Sequence, residues 1–363
     1  MNNIRKYELN HLLASIIIWI IALQVFLFIR FSGYSPETIN IIVPKVLLLF
    51  WHNMPLAFVA GGLMGAVCGL LELYIFKTKW KHISFYNVLI LRLLTYLISL
   101  VFITTLIAFT YSLLIKSQSI TEVFYSLRDF IKSEHYLIIS AYGLLISLTL
   151  FFFGQMNKKI GDGEIFNILG GKYHHPQEEC RYFMFLDLED STHLASAMGH
   201  VKFSEMLQDV YARMSKFVIM YEATIYQHVG DEVVLTWRCH KKPNKPVNFF
   251  FDFEKFLGNK QDEYQKKYGF IPRFRASLNA GIVTAAEAGV TKKETVFHGH
   301  VLNVAARVQK LCKEYDASFL TTINVAKMIT SPIDGISVTK IGYRLLKGKS
   351  NATTIYIVKR DDS

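Results

Sequence analysis

The sequence predicts a bundle of four membrane-spanning helices followed by an α+β domain with a ferredoxin-like order of strands and helices. Two patterns predict this fold: four long apolar runs occupy residues 1–156, and short strands alternate with helices over residues 178–363. The composition agrees, because 52% of the 363 residues are apolar, which is too much for one soluble domain.

The four apolar runs are each long enough to cross a bilayer, which takes about 20 apolar residues. The first run is too long for a cleaved signal peptide and lacks an A-x-A cleavage site, so we interpret it as a retained span. The second and third runs are longer, and we expect them to tilt or to project beyond the lipid. The four runs cover residues 9–31, 46–76, 88–115 and 136–153.

Basic residues beside these runs predict their orientation. They concentrate before the first run, between the second and third, and after the fourth, whereas the other two connections are more balanced in charge. The positive-inside rule then places both termini and the following domain in the cytoplasm of a cell whose (inner) membrane anchors the chain. Anchoring to a lipid bilayer also explains the net charge of +11, so no nucleic-acid partner is predicted. The basic residues are Arg5, Lys6, Lys77, Lys79, Lys81, Lys158 and Lys159.

Two features inside the predicted spans concern helix packing. Gly61, Gly65 and Gly69 share one helix face, which permits close approach of another helix. That helix belongs either to a second copy of the chain or to the same bundle. Glu72 and Arg92 lie towards the cytoplasmic ends of the second and third runs, and we expect their side chains to extend to the membrane surface.

Residues 157–177 form the connection between the two parts. This segment is rich in glycine and contains Pro176 near its end, so it is not predicted to be one uninterrupted helix. We interpret it as a coupling linker that transmits orientation from the bundle to the following domain.

The cysteines give no clear pattern. Cys68, Cys180, Cys239 and Cys312 are widely spaced and include no C-x-x-C pair. Neither a disulfide framework nor a zinc site is predicted from this spacing. Free thiols would suit a reducing compartment.

The second half of the chain shows the order β-α-β-β-α-β followed by further strands, which is the ferredoxin-like order. An apolar, aromatic-rich run over residues 181–188 predicts a central strand. Strand patterns flank Gly230 and Asp231, and this pair favours a hairpin turn. The remaining elements are helices over residues 190–221, up to about 268 and over 301–315, and strands over 273–283, 336–346 and 353–358.

Acidic residues mark the first two candidate sites. Asp187 ends the predicted central strand, and Asp190, Ser191 and Thr192 open the next helix, where backbone N–H groups are suited to phosphate. The alternative for the last three residues is ordinary helix capping. Asp231 lies in the hairpin turn, which a ferredoxin-like sheet places beside the first strand. Asp187 and Asp231 are therefore predicted to share two metal ions.

Two further segments carry side chains suited to a nucleotide. Asn303 and Arg307 are four apart on a predicted helix and share a face. An amide there can orient a ribose, and a guanidinium can meet developing phosphoryl charge. Lys347, beside Gly348, can reach a terminal phosphate as a point charge. The alternatives are a surface amide with an i,i+4 neighbour, and a basic turn.

Together the four segments resemble the class III adenylate and guanylate cyclases, over about residues 178–360. The shared pieces are F-x-D-x-x-x-S-T, G-D in a hairpin, G-x-x-x-N-x-A-A-R and L-K-G, in the family's order. The resemblance implies a class III cyclase catalytic domain that converts ATP to 3′,5′-cyclic AMP and pyrophosphate. It also implies a head-to-tail homodimer with two equivalent sites, each using two Mg²⁺ (or Mn²⁺) ions.

The family's roles carry over onto the matching residues. Asp187 and Asp231 match its two metal-binding aspartates, and the carbonyl of Leu188 is a further expected ligand. Asn303 matches the asparagine that positions the ribose. Arg307 matches the arginine that stabilises the transition state.

Lys347 matches the lysine that contacts the distal phosphates.

The two positions that read the base in this family depart from its pattern. Its adenylate cyclases carry a lysine where Gln227 stands and an aspartate or threonine where Val296 stands, and the guanylate pattern is not met either. Gln227 offers both a donor and an acceptor, whereas Val296 offers no side-chain hydrogen bond. The base is therefore left open between ATP, GTP and another nucleoside triphosphate.

Two other functions are left open by the sequence. One is a catalytically degenerate cyclase-like signalling module, which the intact set of matching metal, ribose and phosphate residues opposes. The other is a small transporter or channel with a cytosolic regulatory domain, which the scarcity of charges within the spans opposes.

Overall fold

The computed structural model describes residues 2–32, 39–76, 85–114, 119–160, 170–239, 243–289, 294–329, 335–346 and 352–360. The chain forms two compact units, of which one comprises residues 5–159 and the other comprises residues 160–363 with the first four residues.

Four helices of the first unit are long and apolar enough to cross a membrane, as the sequence predicts. Their candidate spans are Asn3–Arg30, Asn53–Tyr74, Tyr86–Leu113 and Tyr136–Asn157. These spans lie in α1 (Asn2–Ser32), in α2 (Ile39–Leu71) and the π-helical turn that follows it (Glu72–Phe76), in α3 (Phe85–Leu114) and in α5 (Glu134–Ile160).

A short amphipathic helix, α4 (Ile120–Lys132), lies between α3 and α5 and was not predicted from the sequence. Ser119 caps its first turn, and the side chain of Glu122 accepts a hydrogen bond from the Ser119 backbone N–H at 2.8 Å. This reciprocal pair is a capping box.

The glycine face of α2 packs directly on α1. A methyl group on Gly61 would lie 2.7 Å from the Cα of Ile20, and one on Gly65 would lie 2.5 Å from the Cα of Ile16. Carbon atoms do not approach so closely, so only glycine fits at these two positions. Ser15 donates a hydrogen bond to the Gly65 carbonyl at 2.9 Å. Of the two packing partners considered, the structure shows the one within the same bundle.

The expectation that Glu72 and Arg92 extend to the membrane surface is wrong, because the two side chains pair with each other. Arg92 Nη2 lies 3.0 Å from Glu72 Oε1, and the side chains are 6% and 19% exposed, respectively. Tyr96 donates a hydrogen bond to Glu72 at 3.4 Å, and the Arg92 guanidinium lies 5.2 Å from the centre of the Phe151 ring. Pairing lowers the cost of placing either charge among apolar helices.

The second unit contains one mixed sheet with helices on both faces. The strand order β2-β3-β1-β4-β6-β8-β7, with β5 paired to β4, begins with the four strands of a ferredoxin-like core, which confirms the predicted fold class. The elements are β1 (Gln177–Leu188), α6 (Ser191–Met198), α7 (His200–Met220), β2 (Thr224–Val229), β3 (Glu232–Arg238), α8 (Asn244–Gly258), α9 (Gln261–Tyr268), β4 (Phe274–Ala288), β5 (Glu294–His298), α10 (His300–Glu314), β6 (Phe319–Thr322), α11 (Ile323–Ala326), β7 (Ile336–Arg344) and β8 (Thr353–Arg360).

Three details differ from the sequence expectation. The helix predicted over residues 190–221 is two helices, because Gly199 between them has a φ of 80°. The helix predicted up to about residue 268 is also two, α8 and α9. Strands β5 and β6 were not predicted, since runs of five and four residues are too short to show a clear period.

The two faces of the sheet carry separate cores, and β1 contributes to both because its side chains alternate between them. Leu186 belongs to the larger core, which α7 and α8 cover. Phe183 and Phe185 pack with Ala305 of α10 on the other face. Asp187 continues the alternation of Phe183 and Phe185, so its side chain faces α10.

A disulfide links β1 to the residue that follows β3, contrary to the sequence expectation. Cys180 and Cys239 are bonded, with their Cα atoms 5.2 Å apart. The antiparallel register brings the two cysteines together, because their neighbours Arg181 and Arg238 lie opposite each other. Spacing along the chain does not reveal such a contact, because strand pairing creates it.

Candidate active site

Asp187 and Asp231 lie together where β1 ends beside the β2–β3 turn. The antiparallel register places Leu186 opposite Val233, so the next residue of β1 lies beside the turn that contains Asp231. Burial and the negative charge of Asp231 raise the pKa of Asp187 to about 6. Two carboxylates this close repel each other when both are ionised, and a bound cation would relieve that repulsion.

Tyr211 of α7 supports the turn from the side and was not identified in the sequence. Its hydroxyl donates to the Gly230 carbonyl at 3.5 Å, and its ring lies 4.7 Å from that of His228. Gly230 has a φ of 65°, which favours glycine at this turn. Burial and the charges of Asp231 and Asp187 raise the pKa of Tyr211 to about 12, so its hydroxyl stays protonated.

Glu232 is a third acidic side chain in this region. Burial, then the charges of Asp187 and Asp231, raise its pKa to about 7, and the opposing charge of Lys310 limits the rise. Glu232 directly follows Asp231 and begins β3. This position is the only indication in the sequence that Glu232 lies in this region.

The donor set fits Mg²⁺ or Mn²⁺. In the described part of the chain, no group of three or more histidine, cysteine, aspartate or glutamate side chains is arranged to hold a metal. Asp187 and Asp231 therefore supply carboxylate oxygens only for part of a coordination shell. Both ions accept a shell completed by carbonyl, water and phosphate oxygens, and the Leu188 carbonyl is adjacent in the chain.

Gln309 of α10 contacts Asp187 directly. Its side-chain Nε2 donates to Asp187 Oδ2 at 3.0 Å, and the residue is only 7% exposed. Gln309 was not predicted from the sequence, because only the packing of α10 on β1 brings the two side chains together.

The start of α6 differs from an ordinary capped helix. Asp190 occupies the capping position in a left-handed conformation, with a φ of 50°, and its side chain makes no capping hydrogen bond. Its carbonyl accepts the N–H of Leu194 at 3.0 Å. The first N–H groups of a helix have no acceptor within the helix, so those of Ser191 and Thr192 are available to the phosphate that the sequence predicts there.

Asn303 and Arg307 lie on the outer side of α10. Asn303 is exposed and Arg307 is partly exposed, whereas Ala305 is buried against the sheet. The hydroxyl of Ser277 donates to the Ala305 carbonyl at 2.7 Å and fixes the helix to β4. The outer side that carries Asn303 and Arg307 is thus separate from the inner side that meets Asp187.

The two positions predicted to read the base lie beside one aromatic contact. Gln227 is in β2 and Val296 is in β5, and their neighbours Tyr226 and Phe297 have ring centres 5.2 Å apart. The Phe297 N–H also donates to the Tyr226 hydroxyl at 3.4 Å. Phe183 packs edge-on against both rings. The structure therefore brings the two strands that carry Gln227 and Val296 together, through residues that the sequence analysis missed.

Lys347 lies outside the described residues. Leu346, directly before it, is buried in the core with Val304 and Val308 of α10.

The family model described as the adenylate and guanylate cyclase catalytic domain matches residues 173–359, which is slightly more than half of the chain. The match contains both metal-binding candidates, the base-reading positions and the outer residues of α10. The chain therefore belongs to the class III adenylate and guanylate cyclase family, as the resemblance of its motifs implies.

Relatives and solved structures agree with this membership. The chain is 28% identical over 219 residues to adenylate cyclase 2 of Rhizobium meliloti (strain 1021), covering 60% of each chain. It is 25% identical over 182 residues to an adenylate cyclase of Anabaena cylindrica, covering 48% of this chain and 36% of that one. The matched part thus spans less than two thirds of either relative. A bacterial light-regulated adenylyl cyclase shares the fold, with a TM-score of 0.54 and 17% identity over 64% of this chain and 67% of its own.

Proposed function

We propose that the protein is an adenylate cyclase that converts ATP to 3′,5′-cyclic AMP and pyrophosphate. The observation that carries the proposal is the adjacency of Asp187 and Asp231, because the register places the end of β1 beside the β2–β3 turn and the negative charge of Asp231 raises the pKa of Asp187. Family membership supports the reaction type, and the names of the relatives support ATP as the substrate.

One half of each site would come from β1, the hairpin and α6. Asp187 and Asp231, with the Leu188 carbonyl, would hold two Mg²⁺ or Mn²⁺ ions per site. When bound, such ions lower the pKa of an attacking hydroxyl and neutralise a polyphosphate leaving group. The start of α6, with Asp190, Ser191 and Thr192, receives phosphate oxygens.

The other half would come from the second chain of a homodimer. Asn303 orients the ribose, and Arg307 stabilises the charge that develops as the 3′-oxygen attacks the α-phosphorus in line. Lys347 meets the distal phosphates. The exposed position of Asn303 on the outer side of α10 supports its use by a partner chain, and both halves occur in one chain, so two equivalent sites result.

The proposed organisation places this chemistry at the inner face of a membrane. Residues 1–156 form the four-span domain, residues 157–177 the coupling linker and residues 178–363 the catalytic domain. The apolar helices and their basic flanks support an inner-membrane protein with both termini and the catalytic domain in the cytoplasm.

The test is product analysis with the full-length protein in lipid nanodiscs. The enzyme is mixed with Mn²⁺ and each of the four nucleoside triphosphates, and products are identified by mass spectrometry. We expect cyclic AMP from ATP, a loss of kcat of about 10²–10³-fold in Arg307→Ala, and no metal-dependent turnover in Asp187→Ala. Asp262→Asn, on exposed α9, is the matched control.

Each other result of this test has a defined meaning. Cyclic GMP as the main product would replace the base assignment. An absence of cyclic product from all four nucleotides would favour the degenerate signalling module. Unchanged turnover in Arg307→Ala would contradict the role of that residue.

A further inference from the structure

Gln309 holds one of the two carboxylates of the site. Its Nε2 lies 3.0 Å from Asp187 Oδ2, and the pair is formed between α10 and the end of β1. An amide nitrogen only donates, and it carries no charge. The contact therefore fixes the orientation of the Asp187 carboxylate and leaves its negative charge available for a cation.

The same helix carries Asn303 and Arg307 on its outer side. Successive residues of an α-helix are about 100° apart, so Gln309 projects roughly 200° away from Arg307. The exposure pattern agrees, because Gln309 is 7% exposed and Asn303 is exposed. One helix thus presents nucleotide-binding residues outwards and a carboxylate-holding residue inwards.

The position of α10 is fixed by its core contacts. Ala305 and Val308 are fully buried, and the Ser277 hydroxyl bonds the Ala305 carbonyl. Because α10 is a short rigid element, a displacement of its outer side also moves its inner side.

We propose that Gln309 is a positioning residue that orients Asp187 for the metal site of its own chain, so that α10 links the two active sites of the dimer. The outer residues of α10 serve the partner's site, and Gln309 serves the chain's own. The inference rests on the proposed function, in which the sites are shared between two chains.

The simpler alternative is a buried amide whose hydrogen bond only stabilises the fold. A metal-binding measurement separates the two, because loss of fold stability alone does not change metal affinity in the folded fraction. Loss of a residue that orients a metal ligand typically weakens metal affinity by about 10–100-fold.

The first experiment measures Mn²⁺ affinity by electron paramagnetic resonance of the full-length protein with a non-cyclisable ATP analogue. We expect Gln309→Leu to raise the Kd for Mn²⁺ by about 10-fold or more. Gln309→His, which keeps a donor, should recover part of the lost affinity. Gln265→Leu on α9 removes an exposed side-chain hydrogen bond to the carbonyl of Gly269 and should leave the Kd unchanged. An unchanged Kd in folded Gln309→Leu would overturn the positioning role.

The second experiment places the substitution in one subunit of a mixed dimer. Chains with Asp187→Ala and chains with Arg307→Ala together form one complete site, whose metal-binding half comes from the Arg307→Ala chain. Gln309→Leu should reduce cyclase activity by about 10-fold when it is in that chain, and much less when it is in the Asp187→Ala chain.

The outcomes of the mixed-dimer experiment distinguish a failure of this inference from a failure of the proposed function. If mixing restores no activity although each chain binds nucleotide, the shared-site dimer is wrong and the link through α10 falls with it. If mixing restores activity but Gln309→Leu has the same effect in either chain, the shared sites stand and the role assigned to Gln309 is wrong.

Discussion

Glu72 and Arg92 form an ion pair between the second and third apolar helices, with 3.0 Å between Glu72 Oε1 and Arg92 Nη2. The pair lies where α2 passes into a π-helical turn, a feature that often accompanies functional positions. Each charge is compensated by the other inside an apolar bundle, so the two helices are held in one register.

Removing one charge of this pair should destabilise the unit of apolar helices. In Glu72→Gln, Arg92 keeps its charge but loses the carboxylate of the ion pair, and breaking a buried ion pair in this way costs about 3–5 kcal/mol. We expect a lower Tm for the full-length protein in detergent, and a partial recovery when Glu72→Arg is combined with Arg92→Glu. Asp129→Asn, at an exposed carboxylate of α4, serves as the control. An equal Tm for Glu72→Gln and Asp129→Asn would contradict the prediction.

The Cys180–Cys239 disulfide should be detectable by alkylation. In protein purified without reductant and then unfolded, only Cys68 and Cys312 should react, whereas all four cysteines should react after reduction; mass spectrometry counts the adducts. The bond closes a loop with a sequence separation of 59, so Cys180→Ser should lower the free energy of unfolding by about 4 kcal/mol. Four adducts in both samples would show that the thiols are free.

The base preference should change with the two positions that depart from the family. The double variant Gln227→Lys and Val296→Asp gives the site a donor and an acceptor that can bond a purine edge. We expect the ratio of kcat/KM for ATP to that for GTP to rise about 10-fold, since one good polar contact discriminates by about 1–3 kcal/mol. Tyr226 and Phe297 stay unchanged, so the underlying aromatic contact is preserved, and an unaltered ratio would place base reading elsewhere.

Glu254 of α8 should make stability depend on pH. Burial, then the charge of Glu189, raises its pKa to about 7, against the opposing charge of Arg273. A carboxyl whose folded-state pKa is raised contributes stability below about pH 4.5 that is lost as the pH rises through about 7. Glu254→Gln, which is neutral at every pH, should therefore change the Tm little at pH 5 and raise it by about 2–4 °C at pH 8.

Glu263 of α9 provides the control of opposite sign. Its hydrogen bonds from Arg213 and Lys260 lower its pKa, so its contribution is present at neutral pH and is lost as the pH falls through the lowered pKa. Glu263→Gln should reduce the Tm at pH 8. Thermal unfolding scans at both pH values test the two variants together, and the same sign of change for both at pH 8 would contradict the assignment.

Local patterns in the sequence were enough to predict the elements that carry the candidate metal-binding residues Asp187 and Asp231. The aromatic run that ends at Asp187 and the hairpin around Asp231 show clear strand periods. Their adjacency follows from the ferredoxin-like order alone, and the structure has β1 paired with β3. The apolar helices were equally predictable, because their length exceeds what a soluble core helix needs.

What the sequence did not predict depends on contacts between distant residues. Gln309 lies 122 residues from Asp187 along the chain, and only the packing of α10 on the sheet joins them. The Tyr226–Phe297 contact likewise arises from packing on one face of the sheet, and the Cys180–Cys239 bond arises from the pairing of β1 with β3. A periodic pattern reports which side of an element is buried, but not which side chain it meets there.

The contact of α1 with α2 through Gly61 and Gly65 has a mechanical consequence. Because the two backbones touch with no side chain between them, neither helix can slide or rotate without colliding with the other. The two helices therefore move as one rigid pair within the bundle. A stimulus that acts on the apolar helices would have to tilt α1 and α2 together or move α3 and α5 relative to them.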